Sequence, residues 1–194
     1  MGLFKLMFGV AKKMDKEREK EFNRKLKHQK KQDQIEQQQN QTRLLQLVVE
    51  NITEMVSTQE EWSDSYNFKN QALDYIGVDG IDESDVDKYF AVIDDIVHDT
   101  KTAYEKIKRV ADVVEVHEVT QEYLKSIKEH MLLQLEYMIK HYIGVKNYVQ
   151  EYFNKGFNEE YIKEVINEDY RKSESHAEIC QSYINKAVQS IQNL

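Results

Sequence analysis

VDKYFAVIDDIVHDTKTAYEKIKRVADVV, residues 86–114, decides the fold class. Val86, Phe90, Ile93, Val97, Thr100, Tyr104, Ile107, Ala111 and Val114 recur in steps of four and three, which sets them on one stripe of an α-helix with Thr100 as its polar member. Tyr89, Ile96, Ala103 and Val110 widen that stripe beyond a two-stranded seam. A helix greasy over so wide an arc expects neighbours on two sides, as inside a bundle.

Working outward, Leu45, Val48, Ile52, Met55, Gln59, Trp62, Tyr66, Lys69, Leu73 and Ile76 step by three and four, so a helix is predicted over 42–76. Gly77 and Gly80 end it, because glycine accepts the left-handed conformation at a helix C-terminus, and Asp82 or Ser84 is expected to cap the next helix. The acidic run Asp79, Asp82, Glu83, Asp85 lacks the alternating ligands and closing Glu of a calcium loop, and reads as charge complementing a helix N-terminus. Val113, Val114, Val116, Val119 and Thr120 are β-branched and place a turn or kink around His117.

A third helix follows to Asn154, with Leu124, Ile127, Met131, Leu135, Met138, Tyr142, Val145, Val149 and Tyr152 facing inward. Gly156 stops it, and Asn158, Glu159 and Glu160 start a fourth. The fourth has an apolar series of Ile162, Val165, Ile166, Ala177, Cys180, Ile184, Ala187, Ile191 and Leu194, interrupted over 167–176. The fold expected is all-α: four helices of about 31 to 36 residues on short connections, in an antiparallel up-down-up-down four-helix bundle over 42–194, preceded by an N-terminal amphipathic basic helix.

Composition agrees. The 194 residues contain no proline and six glycines, 40% are hydrophobic, and Glu, Lys and Gln are abundant, so little forces a helix to stop. Cys180 is the one cysteine, too few for an internal disulfide or a zinc cluster. No apolar run approaches the roughly 18 to 20 residues that a membrane-spanning helix needs. A cytoplasmic setting is expected, at the inner face of a membrane.

The net charge of −8 hides a split. Residues 1–31 carry eleven Lys and Arg against four Asp and Glu, net +7; the remaining residues carry 16 against 31, net −15. Residues 1–28 open with MGLFKLMFGVA and continue into a Lys and Arg cluster. A secretory signal is not expected, since the basic residues follow the apolar run, and Leu6 stands where a myristoylation start wants Ser or Thr. The pattern is that of an in-plane membrane anchor: Leu3, Phe4, Met7, Phe8 and Val10 enter the acyl boundary while Lys12, Lys13, Lys16 and Arg18 meet anionic headgroups, at about 1 kcal/mol per basic residue. Docking of this helix on protein and a merely solvated helix are the other readings. Residues 29–41, QKKQDQIEQQQNQ, form a Gln-rich linker or a solvated helix.

Candidate chemistry is sparse. Gln59, Thr100, Gln134, Ser173 and His176 fall near the midpoints of their helices, which predicts a central polar layer. Buried amides more often fix register than bind ligands, so the layer reads first as structural. Asp95 and His98 have the acid-x-x-His step of a di-iron bundle, but no second Glu-x-x-His accompanies it, and neither a metal nor a cofactor is expected. His98, His117, His130, His141 and His176 repeat no ligand spacing and read as structural. His176 lies one turn from Cys180, but nothing marks an oxyanion site. No glycine-rich phosphate loop is present.

The function expected is that of a non-enzymatic peripheral membrane protein or adaptor, held on an anionic membrane surface by the N-terminal helix, its acidic bundle binding a protein partner or itself. A membrane-permeabilising effector or phage-particle component that inserts the same helix is the alternative. Nucleic-acid binding through the basic arm is weaker, because Asp15, Glu17, Glu19 and Glu21 interrupt the run and the acidic bundle repels phosphate.

Overall fold

The computed structural model describes residues 2–77, 83–112, 118–155, 164 and 166–192, and the side chains of 18–74, 83–112, 119–153, 164 and 166–192. Those residues form four helices and no strand: α1 (Gly2–Gly77), α2 (Val86–Arg109), α3 (Glu118–Lys155) and α4 (Asn167–Gln192). The chain divides into two compact units, Met1–Leu44 and Leu45–Leu194.

In the first unit the backbone is helical from Gly2 onward, and every side chain over 18–43 is exposed. Residues 29–41 are therefore helical, the solvated of the two forms expected. Gln, Lys, Glu and Arg lose little side-chain freedom in a helix, and pairs such as Glu21 with Lys25 at 3.0 Å support it locally. Phe22, Leu26 and Ile35 are exposed on it.

The second unit is a helical bundle. Its core joins Val48, Ile52, Met55, Trp62 and Leu73 of α1, Ile93, Ile96, Ala103 and Ile107 of α2, Leu124, Ile127, Met131, Leu135, Met138 and Tyr142 of α3, and Cys180 and Ala187 of α4. α3 packs most closely on α4 and next on α2.

Several expectations are corrected. Among the described residues the helices have 76, 24, 38 and 26 residues, where four of about 31 to 36 are expected. α2 ends at Arg109, so Ala111 lies outside it and is exposed. The α2 stripe is also shifted: Ile93, Ile96, Thr100, Ala103, Ile107 and Val110 are buried, whereas Phe90, Val97 and Tyr104 are only partly so. The flank that widened the stripe is its true centre, because α2 is packed from two sides. Asp85 occupies the N-cap of α2 without a side-chain cap bond, since its carboxylate takes Lys88 Nζ at 2.8 Å. Tyr152, near the end of α3, is exposed. Val114, Ile162, Val165, Leu194, Gly80, Gly156, Asp79, Asp82 and the β-branched segment 113–117 lie outside the described residues.

The carbonyls just past α2 are met by side chains. Val110 O, at the C-cap, accepts from Lys128 Nζ at 2.6 Å and Ala111 O from Asn51 Nδ2 at 2.7 Å.

Candidate functional site

Polar side chains inside the bundle form several separate clusters along it. Trp62 comes inward because it holds a core position on α1, and its indole Nε1 donates to Thr100 Oγ1 at 2.9 Å; that hydroxyl in turn donates to Ile96 O at 2.7 Å. Thr100 is fully buried, and both bonds are needed to keep its oxygen from being stranded in an apolar interior. One turn along α1, Ser65 Oγ and Lys69 Nζ both donate to Asp99 Oδ2 at 2.6 Å. Partial burial pushes the Asp99 carboxyl up, but the Lys69 ammonium and Ser65 hydroxyl more than offset it and hold the group below the usual carboxylate range. A carboxylate stabilised in this way is a weak base toward Ser65, so the trio serves as an ion pair tying α1 to α2.

Gln59 Nε2 donates to Gln134 Oε1 at 2.6 Å, and Ser173 Oγ donates to the Gln134 backbone carbonyl at 3.0 Å. These two bonds join α1, α3 and α4. Further along α3, Tyr142 donates to Asn70 Oδ1 at 2.7 Å, with Tyr66 edge-on to its ring. Burial pushes the Tyr142 phenol far above its ordinary value and that of Tyr170 to about 12. His141 Nδ1 lies 2.9 Å from Ile166 O, and burial holds its imidazole below the ordinary range.

His176 is bound to His130, Nδ1 to Nδ1 at 2.9 Å. The ring centres are 5.2 Å apart, about the N···N distance plus one ring radius at each end, so the two nitrogens lie on the line of centres and face each other edge to edge. Tyr137 lies parallel to the His176 ring and Tyr183 to the His130 ring, with centres 5.6 and 5.7 Å away.

Of the five residues expected in a central layer, Gln59, Gln134 and Ser173 thus share one network, Thr100 is bound to Trp62, and His176 to His130. The sequence reading passed over Trp62 as a donor and over Asp99, Asn70 and His130. Lys69 was the available signal: an ammonium inside an inward-facing series requires a carboxylate opposite. Cys180 and His176 do not pair, for the Cys180 thiol points at Ile127 O, 3.8 Å from Sγ. Asp95 and His98 are both exposed, and no group of three or more His, Cys, Asp or Glu side chains that could hold a metal occurs among the described residues.

Burial pushes the Cys180 thiol up to about 12. The thiolate is the reactive form, so iodoacetamide at mildly alkaline pH is expected to label the native protein at least tenfold more slowly than the urea-unfolded chain. Equal rates, followed by mass spectrometry, would place the sulfur at the surface.

A hollow of about 150 Å³ lies beside Trp62, Ser65 and Asp99; another, of about 320 Å³, is lined by Asn51, Met55, Val110, Leu124, Lys125 and Lys128 among others, near the end of α2. Arg18, of the residues expected to touch membrane, is exposed on α1. Leu3, Phe4, Met7, Phe8, Val10, Lys12, Lys13 and Lys16 sit on the helical backbone of α1, and their side chains lie outside the described set. No helix among the described residues is long and apolar enough to cross a membrane. The chain matches no protein-family model, and searches of the curated proteins and of the solved structures give no match either.

Proposed function

We propose that the protein is a non-enzymatic peripheral membrane protein of the cytoplasmic face, whose amphipathic N-terminal helix lies in an anionic membrane surface while its acidic bundle binds a protein partner or a second copy. The observation that carries this reading is the segregation of charge along the chain: net +7 over residues 1–31, behind an LFKLMFGV opening, and net −15 over the rest. Phe22 and Leu26, exposed on α1, lengthen the apolar side of that segment and support the reading.

The bundle is read as up-down-up-down. This is supported by bonds whose numbers run in opposite senses between successive helices: Asn51 to Ala111 and Lys69 to Asp99, Lys128 to Asp112 and Lys146 to Asp94, Ser173 to Gln134 and Cys180 to Ile127. The bundle offers exposed carboxylates at Glu54, Glu61 and Asp64 of α1 and Asp87, Asp94 and Asp95 of α2. Phe68, 75% exposed, shares the stripe of Glu54 and Glu61.

Vesicle co-sedimentation tests the proposal. The full-length protein is expected to pellet with phosphatidylserine-rich vesicles at low salt, to be released as salt rises, and to stay in the supernatant with neutral vesicles. The double change Phe4→Asp and Phe8→Asp removes the greasy insert without touching the bundle and is expected to abolish pelleting. Undiminished pelleting of that variant would sink the anchor. Dye release by the wild-type protein, lost in the variant, would shift the reading to a permeabilising effector.

A further inference from the structure

We propose that His130 and His176 form a proton-sensitive latch between α3 and α4, closed while one proton lies between their Nδ1 atoms and forced open when each carries its own. This goes beyond the membrane reading and stands without it. The Nδ1 atoms are 2.9 Å apart and face each other along the line of ring centres, so one ring must donate and the other must accept. A metal ion in that line would need about 4 Å, two N–metal bonds of about 2.0 Å each, whereas a single proton fits the distance found.

The order of protonation follows. In the neutral pair the donor ring holds its proton on Nδ1 and has a free Nε2, while the acceptor holds its proton on Nε2 and offers the Nδ1 lone pair. A first added proton goes to the free Nε2, and the resulting imidazolium donates a stronger, charge-assisted bond. The second has only the acceptor's Nδ1 lone pair to occupy. Taking it removes the bond and sets two N–H groups of cationic rings against each other.

The surroundings do little to relieve this. His176 is held below the ordinary histidine range by partial burial first and by His130 second, with the Glu129 carboxylate pulling the other way. Tyr137 and Tyr183 flank the pair; Lys140 and Lys172 lie over the Tyr137 ring but are paired with Glu136 and Glu168, and Lys186 lies over the Tyr183 ring. From α1 the neutral Gln59 reaches α3 nearby; Asp94 of α2 and Asp112 just past it are paired with Lys146 and Lys128 of α3.

The sign is fixed by which state binds more protons. The unfolded chain protonates both rings near about pH 6.5, while the folded chain refuses the second until lower pH, so stability falls as pH drops from about 6.5 toward the lowered value. Opening would loosen the neighbouring seam contacts of the same two helices, Ser173 to Gln134 O and Cys180 to Ile127 O.

The test is a histidine ring titration of the full-length protein by nuclear magnetic resonance, with urea midpoints measured at about pH 7 and about pH 5. His176 is expected to titrate below the ordinary histidine range in the wild type, coupled to its partner ring across the Nδ1 contact. In His130→Gln and in His176→Gln the remaining ring is expected to show one step, and the acid loss of midpoint to shrink. Independent, ordinary titration of both rings in the wild type overturns the latch, and so does a parallel acid loss in wild type and variants. The wild-type titration decides by itself should a variant fail to fold.

Discussion

Trp62→Ala is expected to destabilise the bundle by about 3–5 kcal/mol, the range for deleting a large buried aromatic side chain. Trp62 is 6% exposed, stacks on Tyr66 with ring centres 5.5 Å apart, and supplies the donor to Thr100 Oγ1. A domain of this size has about 5–15 kcal/mol in total, so the variant should lose about a fifth or more of its resistance to urea. Trp62→Phe separates the two contributions. It retains a ring against Tyr66 while removing the N–H and part of the indole; because Thr100 Oγ1 still donates to Ile96 O, the loss is expected to stay at about 1–2 kcal/mol. Equal costs for the two substitutions would mean that the hydrogen bond, not the packing, anchors α1 to α2. A cost under about 1 kcal/mol for Trp62→Ala would remove Trp62 from the core altogether.

The periodicity of the sequence located this tryptophan, and it did so because the α1 stripe has period and length enough to leave one solution. Val48, Ile52, Met55, Trp62 and Leu73 were all legible as inward, and all are buried. The α2 stripe was legible as a helix but not in its exact azimuth: with apolar residues on both flanks, Ile96 and Ala103 could be taken for the margin when they are the centre. Helix ends were harder. α2 stops at Arg109, and the carbonyls just past it, those of Val110 and Ala111, are taken by Lys128 and Asn51 from elsewhere. No local composition announces such a stop.

The interior polar residues divide in the same way. Gln59, Thr100, Gln134, Ser173 and His176 could be named because each interrupts an apolar series, a property of one helix. Which of them bond to which depends on two helices at once. So the bond between Gln59 and Gln134 was within reach of a height argument, whereas the choice of His130 as the partner of His176, in place of Cys180 on its own helix, was not. Lys69 shows the intermediate case, where an ammonium on the inward face announces a carboxylate without saying that it is Asp99.

The amide pair gives the second large effect, and its asymmetry is the informative part. Gln134 is 8% exposed and Gln59 only partly buried, so the two residues suffer differently when orphaned. Gln59→Leu leaves the Gln134 amide with its Oε1 unmatched in the interior, expected to cost about 1–3 kcal/mol. Gln134→Leu leaves Gln59, which can turn to water, and is expected to cost less than half as much. The Ser173 bond goes to the Gln134 backbone carbonyl and survives in either variant, so neither cost includes it. With both residues leucine no polar group is stranded and apolar area is gained, so the double variant should recover to within about 1 kcal/mol of wild type, a coupling of at least that size in the cycle. What the double variant should lose is uniqueness: without a directional bond at this level, α1 and α3 can slide by a turn, and native-state hydrogen exchange in both helices is expected to quicken even though the urea midpoint recovers. Strict additivity of the two single costs would show that the 2.6 Å amide contact does not couple α1 to α3, and would shift that role to the bond from Tyr142 to Asn70 between the same two helices.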